Sequence, residues 1–151
     1  MTLELTSDSP ETTSALAACL GAILGAGDVV ALFGELGAGK TCFVQGLARG
    51  LGIVAHVTSP TFILMRQHPG HPPLCHADAY RLTCGADIED LGLEDILATS
   101  VLAVEWAERV ADALPDERVE VRLGTPGGDE REITLTVHGE RLAKLLQEAF
   151  P

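Results

Sequence analysis

The chain has 151 residues, a formal net charge of −12 and only two lysines among its ten basic residues. A chain of this length can bury about two thirds of the surface that its unfolded form exposes, so we expect one domain over residues 1–151. Nucleic-acid binding needs clustered Lys and Arg. The arginines are scattered here, so any contact with RNA is expected to run through a basic partner.

No membrane or extracellular role is expected from the sequence. The longest apolar runs are far shorter than the ~20 residues that a membrane span needs, and residues 1–9 contain no basic segment before a long apolar stretch. The four cysteines form no C-x-x-C pair, which favours reduced, buried thiols. We therefore predict a cytoplasmic protein with no membrane association.

The N-terminal third predicts alternating strands and helices. Residues 3–5 indicate a short edge strand, and Ser9 is suited to cap a helix over about residues 10–24. The wholly apolar run at residues 29–33 predicts a buried strand. Apolar residues at helical spacing then indicate a helix over residues 42–52. This order of strand, loop and helix surrounds the most informative segment of the chain.

The remaining two thirds predict three more strands, a hairpin and a final helix. The three strands are expected at Thr61–Gln67, Leu74–Asp78 and Val101–Glu105. Acidic turns and short helices over residues 87–97 separate the last two of these. Alternating residues on either side of Thr125–Gly128 predict a β-hairpin. Helical spacing over residues 140–150 predicts a C-terminal helix.

The segment from Gly34 to Thr41 matches the phosphate-binding loop pattern G-x-x-x-x-G-K-[ST]. Its glycines let backbone N–H groups turn toward phosphate oxygens, Lys40 supplies a cation, and the Thr41 hydroxyl can bind magnesium. The following helix adds the partial positive charge of its N-terminus. The residues predicted to surround the nucleotide phosphates are Gly34, Glu35, Leu36, Gly37, Ala38, Gly39, Lys40, Thr41 and Cys42.

Two carboxylates are placed where nucleotide chemistry would use them. Asp78 and Glu105 each end an apolar strand, and the C-terminal ends of parallel strands line the ligand crevice of open α/β sheets. One could hold magnesium while the other polarises an attacking water or an acceptor hydroxyl, and the residues alone do not decide which. Capping of turns is the simpler alternative for each acid.

These features predict an α/β fold: a single P-loop NTPase-like domain with a mostly parallel central sheet flanked by helices, and a C-terminal β-hairpin and helix. Four segments also occur in the order and spacing of the bacterial TsaE family, also called YjeE: Gly34–Thr41, Ser59–Phe62, His76–Arg81 and Glu105–Trp106. The chain resembles that family over roughly residues 5–110.

The resemblance implies a magnesium-dependent ATPase that is required, with the TsaB and TsaD proteins, for threonylcarbamoyladenosine modification of tRNAs reading codons that begin with A. ATP hydrolysis would reset or drive the complex, and tRNA would be contacted only indirectly. Lys40 would bind the phosphates, while Thr41 and Glu105 would bind magnesium. Asp78 would be the essential Walker-B-like acid.

Three further residue roles follow from the same resemblance. Thr61 would lie in a switch-like loop that senses the γ-phosphate. Trp106, the only tryptophan, would lie beside the site, and the region of Thr12 would approach the adenine.

Phosphate-binding loops also occur in kinases, regulatory GTPases and nucleotide-dependent binding modules. A small kinase would need an arginine-bearing lid, and the longest irregular stretch, residues 67–73, contains no arginine. A regulatory GTPase would need an N-K-x-D motif, and the chain has no asparagine. An ATP-dependent binding module without significant turnover needs the same ligands as an ATPase, so the sequence leaves that alternative open.

Overall fold

The α/β pattern predicted from the sequence is the architecture of the computed structural model, which describes residues 1–35, 37–54 and 64–150. The strands are β1 (Thr2–Ser7), β2 (Val29–Phe33), β3 (Met65–His68), β4 (Leu74–Asp78), β5 (Val101–Glu105), β6 (Arg118–Gly127) and β7 (Glu130–His138). The α-helices are α1 (Pro10–Gly21), α2 (Lys40–Gly50), α3 (Gly85–Asp90), α4 (Leu93–Thr99) and α5 (Glu140–Ala149). None of the described helices is long and apolar enough to cross a membrane.

The described strands form one seven-stranded sheet in the order β1-β7-β6-β2-β5-β4-β3. The four central strands β6, β2, β5 and β4 are parallel, whereas β1, β7 and β3 pair antiparallel with their neighbours. The predicted parallel centre, flanking helices, C-terminal hairpin and helix are therefore confirmed. The hairpin is also part of the central sheet, because β6 pairs directly with β2.

Both faces of the sheet are covered by helices. All five residues of β2 are buried, and they alternate between two apolar clusters. Val30 and Leu32 pack in the cluster that includes α1, α2 and α5, whereas Val29 and Ala31 pack in the cluster that includes α3 and α4. Burial on both faces explains why β2 and the first four residues of β5 are continuous apolar runs.

Helices α1 and α2 approach each other closely through small residues. A Cβ added at Gly46 would lie 2.3 Å from the carbonyl oxygen of Ser14, and one added at Gly50 would lie 2.1 Å from that of Ala18. Positions four apart share a helix face, so both glycines face α1. The contact fixes α2, and with it Lys40 at the first residue of α2, against the N-terminal helix.

Several predicted boundaries differ from the structure by a few residues, and local geometry explains two of the differences. Helix α1 ends at Gly21 rather than near Leu24, because the N–H groups of Ile23 and Leu24 bond three positions back in tighter turns. Strand β6 continues through the predicted turn to Gly127, and the hairpin turns at Gly128 and Asp129. Gly128 has φ 56°, the positive angle that a two-residue hairpin turn needs.

We expect Gly46→Ala to lower the free energy of unfolding by about 1–3 kcal/mol, because the added methyl group overpacks the α1–α2 contact. Alanine is the better helix former by about 1 kcal/mol, so a loss of stability would isolate the packing effect. Urea unfolding followed by circular dichroism measures the difference. Gly25→Ala is the control, since the nearest atom to its Cβ is 4.0 Å away; equal stability of both variants would contradict the packing account.

Candidate nucleotide-binding site

The segment from Gly34 to Thr41 connects the C-terminal end of β2 to the first turn of α2. Gly37 and Gly39 have φ angles of 82° and 100°, which side chains other than glycine rarely adopt. The N–H of Phe43 donates to the carbonyl of Gly39 and closes the first helical turn, with an N–O distance of 2.9 Å. The structure therefore has the strand, loop and helix order that phosphate binding requires.

Lys40 is buried inside this loop, with 6% of its surface exposed. Its Nζ donates a hydrogen bond to the carbonyl oxygen of Gly34 and lies 4.0 Å from the centre of the Trp106 ring. The ammonium group is therefore held between the start of the loop and an aromatic face, a favourable arrangement for a cation. The structure thus places Trp106 beside Lys40, where the sequence predicts the phosphates.

Trp106 belongs to a small aromatic rim. Among the described non-glycine residues it alone has a positive φ, 56°, a conformation that costs about 1–2 kcal/mol for an L residue. Its ring contacts that of Tyr80, with centroids 5.1 Å apart, and the Arg109 guanidinium lies 5.4 Å from the centre of the Tyr80 ring. Tyr80 is 55% exposed, whereas Trp106 is partly buried and packs against the apolar cluster that includes α3 and α4, so the rim extends from the core to the solvent.

The two strand-terminal acids lie side by side. Asp78 and Glu105 are direct partners in the β4–β5 register, and Glu105 is also the partner of Leu32, two residues before Gly34. Both carboxylates therefore lie at the same sheet edge as the loop. Asp78 Oδ1 accepts a hydrogen bond of 3.0 Å from the Tyr80 N–H, and Glu105 is 5% exposed. The expected convergence of parallel strand ends brings these acids together.

The donors at this edge suit magnesium bound together with phosphate. Within the described ranges, no group of three or more His, Cys, Asp or Glu side chains could hold a metal ion. Magnesium is usually held by one or two carboxylates together with substrate phosphates and water rather than by a cage of side chains. The Thr41 hydroxyl and the Glu105 carboxylate are hard oxygen groups of the kind that magnesium prefers.

A cavity of about 540 Å³ lies beside the loop, within the usual size range of small-molecule sites. It is lined by the end of β1, the start of α1 and the β6–β7 hairpin, and Thr12 and Arg131 are among its residues. The Thr12 hydroxyl donates to Asp8 Oδ1 over 3.1 Å. The region of Thr12, predicted to approach adenine, thus borders a space next to the loop.

Arg131 of β7 joins this cavity to the loop. Its Nε donates to the carbonyl of Ala38 over 3.0 Å, and its Nη2 donates to that of Gly37 over 3.3 Å. Its Nη1 also donates to two carbonyls of its own hairpin, each at 2.8 Å. The sequence did not identify Arg131 as a site residue. The only indication was the moderate arginine content of residues 117–141, which does not show which strands pair.

Leu36 and Thr61 lie outside the described residues, so their roles stay predictions. The Cys42 thiol donates to the Pro10 carbonyl over 3.3 Å, which directs this side chain toward α1. Burial, and secondarily the Glu11 carboxylate, raise the pKa of Cys42, so the thiol stays neutral at neutral pH.

This chain matches a family model, named proteins and a solved structure over most of its length. The model of the family described as "Threonylcarbamoyl adenosine biosynthesis protein TsaE" matches residues 7–133. Proteins named tRNA threonylcarbamoyladenosine biosynthesis protein TsaE from Streptomyces coelicolor and Bacillus subtilis are 48% and 44% identical, with 82% and 93% of this chain and 89% of each relative covered. The crystal structure of Bacillus subtilis YdiB superposes with a TM-score of 0.85 at 38% identity, covering 99% of this chain and 94% of YdiB.

If the loop binds ATP, as the sequence predicts, Arg131→Met should weaken that binding about five- to thirtyfold, the equivalent of about 1–2 kcal/mol for the lost charge-assisted hydrogen bonds to the loop carbonyls. Isothermal titration calorimetry of the purified variant gives the dissociation constant. Arg122→Met is the matched control, because Arg122 is an exposed arginine of the same hairpin and lies over the Phe33 ring. A similar loss of ATP affinity in both variants, or no loss in Arg131→Met, would contradict the view that Arg131 holds the loop in place through its carbonyl groups.

Proposed function

Because this chain belongs to the TsaE family and so takes part in tRNA threonylcarbamoyladenosine biosynthesis, we propose that it serves that pathway as a magnesium-dependent ATPase. The observation that carries the proposal is the Gly34–Thr41 loop at the end of β2, with Lys40 buried within it. A loop of this sequence and geometry provides N–H groups and one cation for a nucleoside triphosphate.

The nucleotide is proposed to occupy the loop and the neighbouring cavity together. Its phosphates would take the place of the Gly34 carbonyl as the acceptor for Lys40. Its nucleoside would lie toward Thr12 in the cavity of about 540 Å³. Arg131 contacts the loop and lines the cavity, so it would hold the two parts of the binding site in register.

Magnesium would be held by the Thr41 hydroxyl and the Glu105 carboxylate. Bound magnesium neutralises charge on the β- and γ-phosphate oxygens during phosphoryl transfer. Glu105 is suited to this role because its side chain is buried beside the strand that leads into the loop. Its carboxylate offers the oxygen atoms that magnesium prefers. Thr41 is in the first turn of α2, so its position is set by the same helix that carries Lys40.

Asp78 is proposed to direct the water that attacks the γ-phosphate. It is the register partner of Glu105 and is partly exposed at the edge of the sheet. The Tyr80 N–H fixes one of its oxygens, which restricts the orientation of the carboxylate. A carboxylate in such a place can accept a hydrogen bond from a water molecule and orient it.

The proposed partners are the TsaB and TsaD proteins, with tRNA reached only through them. A net charge of −12 disfavours a direct RNA interface and suits a basic protein surface. Arg131 contacts the loop, and there its guanidinium nitrogens donate to backbone carbonyls. We therefore expect a partner to supply a stabilising arginine, an addition that can raise turnover about 10³- to 10⁵-fold.

Lys40→Ala and Asp78→Asn should separate binding from turnover. Loss of the ammonium group should weaken ATP binding at least about tenfold, since a charged hydrogen bond contributes about 1.5–3 kcal/mol. Asp78→Asn should bind ATP within about threefold of wild type and lose most hydrolysis, because only the water-orienting carboxylate is removed. Calorimetry and phosphate release measure the two effects. Equal weakening of binding in both variants would refute this division of roles.

Purified TsaB and TsaD should stimulate ATP hydrolysis by the wild-type protein, and Lys40→Ala should abolish the stimulated rate. Phosphate release is measured with magnesium, alone and with the partners and tRNA. Tight binding without turnover in every mixture would support a nucleotide-dependent binding module instead. Transfer of the phosphate to a small acceptor would indicate a kinase.

A further inference from the structure

A buried histidine contacts the carboxylate to which the proposed function assigns magnesium. His76 of β4 is completely buried, and its Nε2 lies 2.6 Å from Glu105 Oε2. Glu105 is itself 5% exposed. A short hydrogen bond between two buried polar groups is stronger than one in water and restricts both side chains.

The direction of this hydrogen bond follows from its acceptor. A carboxylate that binds magnesium is ionised and only accepts, so in the magnesium-binding form Nε2 of His76 carries the hydrogen and donates it to Glu105. Within the described part of the chain, Nδ1 of His76 has no hydrogen-bond partner. The contact with Glu105 is therefore the one hydrogen bond of this imidazole that the structure shows.

The strand register explains what this bond does to the carboxylate. Asp78 is directly opposite Glu105, whereas His76 is two residues earlier on the same strand and faces the same side of the sheet. Two neighbouring carboxylates repel each other. The bond to His76 occupies Glu105 Oε2 and leaves Oε1 free of this contact.

We propose that His76 is a positioning residue that fixes the Glu105 carboxylate for magnesium bound with ATP. This inference rests on the proposed function, because it deepens the role of Glu105. Residues that hydrogen-bond a metal ligand orient it and tune its affinity. His76 does not contact the nucleotide in this account, and its effect is exerted through Glu105 alone.

A purely space-filling role predicts a different outcome. His76 lies beside Leu74 and Ala103, which belong to the apolar cluster that includes α1, α2 and α5. Leucine at position 76 would therefore be tolerated by its surroundings. Glutamine would be less apolar, but its amide nitrogen reaches about the position of imidazole Nε2 and can donate to Glu105. If His76 only fills space, His76→Leu should therefore be the better tolerated variant. If His76 positions Glu105, His76→Gln should instead be the variant that keeps magnesium affinity.

The test compares the magnesium affinity of His76→Leu, His76→Gln and wild type with ATP bound. Isothermal titration calorimetry with magnesium and electron paramagnetic resonance with Mn²⁺ both report the metal directly. His76→Leu should lower metal affinity about 10- to 100-fold, and His76→Gln should recover it to within about threefold of wild type. ATP affinity measured without metal should stay within about twofold in both variants.

Two controls separate positioning from general damage. His68→Leu removes a different buried histidine, on β3, whose side chain is 4% exposed, and it should leave magnesium affinity unchanged. In a Glu105→Gln background, His76→Leu should cause no further loss of metal affinity. Thermal unfolding of the metal-free proteins shows whether each variant folds.

A folded His76→Leu protein with wild-type magnesium affinity would overturn the inference, and so would equal losses in His76→Leu and His76→Gln. Nitrogen-15 NMR of the metal-free wild type gives an independent check, since a proton on Nδ1 rather than Nε2 of His76 would also overturn it. Failure of the wild-type protein to bind magnesium with ATP would instead refute the proposed function. The two failures are therefore distinguishable.

Discussion

The satisfied carbonyl groups of the Gly34–Thr41 loop are the interaction on which the rest of the site depends. Each described carbonyl from position 34 to position 39 accepts a hydrogen bond from the protein, and the donors come from Lys40, Ala38, Arg131 and Phe43. Buried or crowded carbonyls need such partners. The Lys40 ammonium group and the Ala38 N–H are donors that the proposed phosphates would also use, so ligand binding would exchange those contacts while Arg131 and Phe43 keep the loop in shape.

The surrounding fold brings the loop and the acids to one edge. Parallel pairing of β4, β5 and β2 places Asp78, Glu105 and the start of the loop next to one another. The close glycine-mediated contact of α2 with α1 fixes the helix that starts at Lys40. The hairpin pairs with β2 through β6 and reaches back over the loop with Arg131. Each element is therefore tied to the site through the sheet or through a helix that packs on it.

The sequence predicted those parts of the site that depend on local patterns. The loop motif identified Lys40, and the rule that parallel strands end at a common edge identified Asp78 and Glu105. Arg131 was missed because its contact with Ala38 spans 93 positions and depends on strand order, which apolar periodicity does not encode. The His76–Glu105 hydrogen bond was missed for a related reason, since it crosses diagonally between two strands whose register becomes visible only in the folded sheet.

A crystal structure of the protein with magnesium and a non-hydrolysable ATP analogue would test the central claim most directly. The account predicts the β- and γ-phosphates within the Gly34–Thr41 loop, Lys40 moved from the Gly34 carbonyl to phosphate oxygen, and magnesium in contact with Thr41 and Glu105. A nucleotide bound elsewhere, or a metal held without Glu105 while Lys40 keeps its contact with Gly34, would contradict it.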